Sequence, residues 1–158
     1  MVTIEELEAV YRQRYQRFAR VARALVGDPE RAHDAVQESF ARAIRGRAGF
    51  RGEGSVEGWL WRTLVNVCAD ERRRGAHVAP LDAAPEGSGN GHAEEWPELR
   101  AAVASLPERQ RLMLFLRHYA DLDYRAIAEA TAVDRGTVAA TLHKAHASLR
   151  RSLVEAPR

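Results

Sequence analysis

The chain has 158 residues, 46% hydrophobic and 29% charged, with a formal net charge of +2. That composition allows one ordinary domain or two small ones with real cores, and no apolar run of about 18 residues exists to span a membrane. Cys68 is the only cysteine, which excludes an internal disulfide and a cysteine zinc cluster; its place on an apolar helix face predicts a buried, inert thiol.

The first apolar series, Ile4, Leu7, Tyr11, Tyr15, Phe18, Ala22 and Leu25, recurs every three or four residues and predicts one amphipathic helix over 4–26. Gly27 ends it. Asp28-Pro29 starts a second helix, with Asp as N-cap and Pro at the first helical position. Its buried side is read as Ala32, Ala35, Val36, Ser39, Phe40, Ala43 and Ile44. Four glycines between Gly46 and Gly54 predict a loop. Ser55 then caps a third helix with Val56, Trp59, Leu60, Thr63, Leu64 and Val67 inward, closing in Arg72-Arg73-Arg74 before Gly75.

From Gly75 to about His92 the apolar period disappears, and Gly, Ala, Pro, Ser and Asn take over, as in a flexible linker. The charge divides at the same place. Residues 1–75 carry 14 Arg against 11 acids, 76–96 carry four acids and no Lys or Arg, and 97–158 carry ten bases against seven acids. Two mildly basic blocks therefore flank an acidic connector. Helices resume at Trp96-Pro97, with Leu99, Val103 and Leu106 inward. Ser105-Leu106-Pro107-Glu108 reads as a capping box, and Leu112, Phe115, Leu116 and Tyr119 form the next stripe.

The last third reads as a helix from Tyr124 to Ala130, a turn at Thr131-Ala132-Val133-Asp134, and a long helix from Arg135 held by Val138, Leu142, Ala145, Leu149 and Leu153. That layout is a helix-turn-helix, which fits a DNA major groove. Its exposed side carries Arg135, Thr137, Ala139, Ala140, His143 and Lys144. The two alanines stand where a self-sufficient reader carries long polar side chains, so a protein with this helix is expected to need help in finding its target. No segment alternates with period two for long. The expected fold is all-α: two small helical domains, 1–75 and 96–158, joined by an acidic linker at 76–95.

Catalytic chemistry finds little support. There is no Gly-rich phosphate loop, nucleophile context or metal-spaced cluster, so no enzyme, catalytic residue, cofactor or metal is expected. His143 and His146 are one turn apart, but lack a third ligand nearby in sequence. Asp34, Gln37, Glu38 and Ala41 form an acidic and amide face on the second helix, which repels DNA and suits a protein partner. The Gly49–Ser55 loop can form a pocket. After it, Trp59, Trp61, Arg62, Asn66 and Arg72 to Arg74 combine aromatics, an amide and arginines, a set that suits single-stranded nucleic acid.

These segments in this order resemble the bacterial sigma factors of the extracytoplasmic-function (ECF) group. The resemblance rests on Gly27 to Phe40 (GDPERAHDAVQESF), Trp59 to Asn66 (WLWRTLVN), Leu106 to Arg111 (LPERQR), and Tyr124 to Glu129 with Gly136-Thr137-Val138. It implies a sigma-2 domain in the first block, whose Asp34, Gln37, Glu38 and Phe40 helix docks on the β′ coiled coil of core RNA polymerase. Phe50, Arg51, Ser55, Trp59, Arg62, Asn66, Arg72 and Arg73 would serve the melted −10 element. The last block would be a sigma-4 domain on the β-flap, placing Arg135, Thr137, His143 and Lys144 in the duplex −35 groove. Two places depart from the family pattern: His33 stands where an acid is common, and Ala139, Ala140 and Thr141 stand where Lys, Ser and Arg are frequent.

The expectation is a sigma factor that binds core polymerase, recognises promoters and opens DNA, acting in the cytoplasm without inserting in a membrane, with an anti-sigma factor as a further candidate partner. The alternatives are a sigma-like decoy that binds anti-sigma factor or polymerase without reading promoters, and a stand-alone helix-turn-helix regulator.

Overall fold

The computed structural model describes residues 1–75 and 96–155, so the linker read at 76–95 lies outside the described residues. Among the described residues seven α-helices run α1 Ile4–Val26, α2 Pro29–Gly46, α3 Val56–Arg74, α4 Pro97–Ala104, α5 Glu108–His118, α6 Tyr124–Thr131 and α7 Arg135–Glu155. There is no strand among the described residues. None of these helices is long and apolar enough to cross a membrane.

Local chemistry sets most of the ends. Thr3 and Glu6 form a reciprocal capping box at α1, with Thr3 N–H donating to Glu6 Oε2 at 2.7 Å and Glu6 N–H to Thr3 Oγ1 at 3.1 Å. Gly27, at φ 84°, stops the helix in the left-handed region. Asp28 accepts from the amides of Glu30 and Arg31 to open α2, with Pro29 at its first position. The loop read from Gly46 begins with a single 3-10 turn, Arg47–Gly49.

The first three helices enclose one core. Phe18 stands at its centre, with ring centroids 4.2 Å from Trp61 and 5.4 Å from Phe40, and Tyr11 meets Phe40 edge-on at 4.4 Å. Such aromatic pairs add about 0.5–1.5 kcal/mol each beyond the area they bury. In the C-terminal half, Met113, Leu116, Ile127, Val138 and Leu142 form the corresponding core. The halves meet chiefly through α3 and α6, with a smaller contact between α1 and α5.

Five expectations need correction. Ile44 lies at the edge of α2, and Leu99 and Leu153 are also exposed. Trp61, read as a nucleic-acid contact, is fully buried, with its indole N–H reaching Glu57 Oε1 at 3.4 Å. The Ser105–Glu108 capping box does not form: Ser105 closes α4 and donates its hydroxyl to the Ala102 carbonyl at 2.7 Å, and Pro107 opens α5 without a side-chain cap.

Candidate functional site

The α2 face forms as its spacing requires. Asp34 and Gln37 are exposed and Glu38 half-exposed, and with Ala41, Arg42, Val67, Glu71 and Arg74 they line a hollow of about 600 Å³ between α2 and α3. Gln37 Nε2 donates to Tyr11 Oη at 2.7 Å. Glu38 receives Arg42 at 2.8 Å and Arg45 at 3.3 Å, and the Arg42 hydrogen bond holds its carboxyl below the usual range. The face is thus a mixed charge lattice in which Asp34 keeps its negative charge exposed. Phe40 is not on it. At 7% exposure it packs between Tyr11 and Phe18, because positions 36, 40 and 43 share the core side of the helix. It supports the exposed α2 face from behind.

The second surface starts at the loop before α3. Phe50 and Trp59 are half-buried, with ring centroids 5.3 Å apart. Ser55 caps α3 by accepting from the Gly58 amide at 2.9 Å. Gly52 and Gly54 take φ near 80°, backbone that other residues rarely adopt. Arg51, Arg62 and Asn66 are exposed, and Trp59, Arg62 and Asn66 recur along one face of α3. Arg62, Val65 and Asn66 open on a hollow of about 200 Å³ whose far wall is Ala130, Thr131 and Ala132 at the end of α6, with Arg109 and Leu112. The arginine run is engaged rather than free: Arg72 pairs with Glu108 of the other half, Arg73 with Asp70, and Arg74 with Glu71 at 3.6 Å.

The helix-turn-helix occupies α6 and α7. Asp123 caps α6 by accepting from the Ala126 amide at 2.8 Å. Ala132 makes the turn in the left-handed region at φ 56°, a place where glycine is commoner. Asp134 accepts from the Thr137 amide at 2.7 Å, and that bond holds its carboxyl below the usual range. Arg135, His143 and Lys144 are exposed on α7, with Thr137 half-buried beside them. Ala140 is exposed and Ala139 partly so, which leaves the middle of this face short and apolar. His146 pairs across to α5, Nε2 to Nε2 at 3.4 Å from His118, rather than along its own helix to His143. Among the described residues no three metal-ligating side chains cluster.

Sequence reasoning missed Glu129 and Gly58. Glu129 of α6 reaches across to Ser55, its Oε2 accepting from Ser55 Oγ at 3.2 Å. Gly58 lies inside the first turn of α3 and is buried. A glycine within a helix is unfavourable by itself, and that cost was the available sign of a close neighbour.

Comparison with known proteins gives these surfaces a family. Residues 10–78 match the family model for Sigma-70 region 2, and residues 97–149 match that for Sigma-70 region 4. The chain is 32% identical over 149 residues to the ECF RNA polymerase sigma factor SigM of Mycobacterium tuberculosis, covering 92% of this chain and 76% of that one. It is 30% identical over 158 residues to the RNA polymerase sigma-E factor of Streptomyces coelicolor, covering 98% and 89%. The fold is shared with the sigma factor RpoE of Bartonella quintana, solved in complex with the anti-sigma factor NepR, at TM-score 0.75 and 19% identity over 98% of this chain and all of that one. It is also shared with CnrH, solved in complex with the cytosolic domain of CnrY, at TM-score 0.73 and 17% identity, covering 98% and 92%. With the region 2 and region 4 matches falling on the two helical halves just described, the chain belongs to the ECF group of RNA polymerase sigma factors, which direct transcription initiation.

Proposed function

We propose that the chain docks on core RNA polymerase through α2 and reads promoter DNA with two further surfaces, one per half. The observation that carries this reading is the separation of tasks on the N-terminal half. The polar hollow between α2 and α3 uses Asp34, Gln37, Glu38 and Glu71. Trp59, Arg62 and Asn66 lie on a different side of α3, so polymerase and melted strand can be held together. The docking partner is the β′ coiled coil, and Arg42, Arg45 and Arg74 around Glu38 and Glu71 suit a partner with both charge signs.

At the −10 element, the Phe50–Trp59 pair offers an aromatic wall for an unstacked base, Asn66 an edge to read, and Arg51 and Arg62 the phosphate grip. Unpairing that base costs a few kcal/mol, supplied by the pocket and by polymerase. The C-terminal half sits on the β-flap and lays the Arg135–Lys144 side of α7 in the −35 major groove. Residues 76–95 connect the halves. The protein catalyses nothing itself and needs no cofactor; polymerase brings the reacting centre. It works in the cytoplasm beside polymerase, and the solved complex of RpoE with the anti-sigma factor NepR makes an anti-sigma factor a natural further partner.

A decoy reading is favoured by one observation, the short apolar patch at Ala139 and Ala140. Asn66→Ala separates the two readings. In the sigma reading it abolishes abortive initiation while a pull-down still recovers core polymerase; in the decoy reading it leaves every measured property unchanged. Failure of the wild-type chain to bind core or to initiate at any genomic promoter would end the proposal.

A further inference from the structure

Among the polar contacts between the two halves, one reaches the start of the base-reading helix. Glu129 of α6 directs its carboxylate at the first turn of α3, where Oε2 accepts from Ser55 Oγ at 3.2 Å and from the Ser55 amide at 3.5 Å. A carboxylate there faces the positive end of a helix. The surroundings are cut to admit it. A Cβ on Gly58 would overlap Glu129 Oε2, and a Cβ on Gly54 would come within 3.2 Å of Glu129 Cδ. Glu129 shares its other oxygen with Arg125 at 3.6 Å on its own helix.

Around this point the two halves close. Ala130, Thr131 and Ala132 wall the hollow onto which Arg62 and Asn66 open. Arg72 is tied to Glu108, and Arg17 Nη1 reaches the Ala120 carbonyl at 3.4 Å.

This arrangement cannot serve both promoter elements at once. Their names place them about 25 base pairs apart, roughly 85 Å at 3.4 Å per base pair, whereas here Asn66 and the turn of the helix-turn-helix line the same hollow. We infer that Glu129 is a latch: it holds the two halves in a closed form too compact to reach both promoter elements, and promoter binding requires it to release Ser55. The inference rests on the initiation role proposed above. Closure lowers the fraction of chains competent to engage both elements, and apparent affinity for the promoter falls by that fraction.

The test uses the full chain carrying spin labels at Arg12→Cys on α1 and Ser152→Cys on α7, both exposed, with Cys68 buried and unlabelled. The wild-type contact should give one narrow distance distribution. Glu129→Arg, which reverses the charge, and Gly58→Ala, which blocks the carboxylate while improving α3 as a helix, should each broaden and lengthen it. Both should raise initiation with core by about three- to tenfold, the size expected for loss of one ordinary solvent-exposed hydrogen bond, and the double variant should gain no more than the larger single effect.

A broad wild-type distribution unchanged by either substitution would overturn the latch while leaving initiation intact. So would longer distances with no gain in initiation. If the wild-type chain does not bind core, the initiation role falls and the latch falls with it, and the distances show whether the closed contact itself exists.

Discussion

Phe40 and Asp34 sit on the same helix and answer to different forces. Phe40→Ala removes a ring packed on Tyr11 and Phe18 and should cost about 3–5 kcal/mol of stability, lowering the melting temperature without selectively weakening polymerase binding. Asp34→Lys should do the reverse: an unchanged melt, with core recovery in a pull-down reduced. A melt and a pull-down on each variant check both. Cys68 gives a second residue-level expectation. Burial pushes its thiol up to about 12, so a disulfide reagent at about pH 8 should react roughly a thousandfold more slowly than with a free thiol, and with one equivalent once the chain is unfolded. This burial was legible from an apolar helix face. The fate of Trp61 was not, because the stripe through 56, 59, 60, 63, 64 and 67 is rotated in the folded helix toward 60, 61, 64, 67 and 68. A wide apolar arc leaves its own centre ambiguous, and only the neighbouring helices choose it.

Elements bounded by local chemistry were the most readable. Thr3–Glu6 and Asp28-Pro29 act within a few residues of themselves, so their effect is present in the sequence. Ser105 failed for a reason of the same kind: only three residues separate α4 from α5, and the carbonyl end of α4 captured the hydroxyl first. The packing of α5 on α7 carries a pH dependence. His118 is held below its ordinary value of 6.5, first by desolvation and then by His146 and Arg117. Its folded state therefore binds a proton less readily than its unfolded state. The stabilisation is present above about pH 6.5 and is lost as pH falls through the lower folded value. Thermal melts across this range should show stability dropping on acidification, and His118→Gln should flatten that part of the curve. An unchanged slope in the variant would assign the dependence to other groups.

For the whole molecule, a net charge of +2 is a weak attraction for a polyanion. Arg72 and Arg73 are further spent on Glu108 and Asp70. At physiological salt the chain alone should give no gel shift with promoter duplex below about 1 µM, and a shift should require core polymerase. Tight binding by the free chain would favour the stand-alone regulator instead. The two helical halves and their order were readable because each rests on its own amphipathic periods. The contact between them was not. It depends on Gly58, Ala130 and Glu129, small or ordinary residues whose meaning comes from partners more than 60 positions away.

The three tryptophans fall in three different environments: Trp61 is sealed in the aromatic core, Trp96 stands in solvent, and Trp59 lies half-covered beside Phe50 at the loop before α3. The chain therefore carries its own optical gauge. With Trp61 and Trp96 replaced by phenylalanine, the remaining emission reports on the loop alone, and a nucleobase stacking there would quench it without any dye attached.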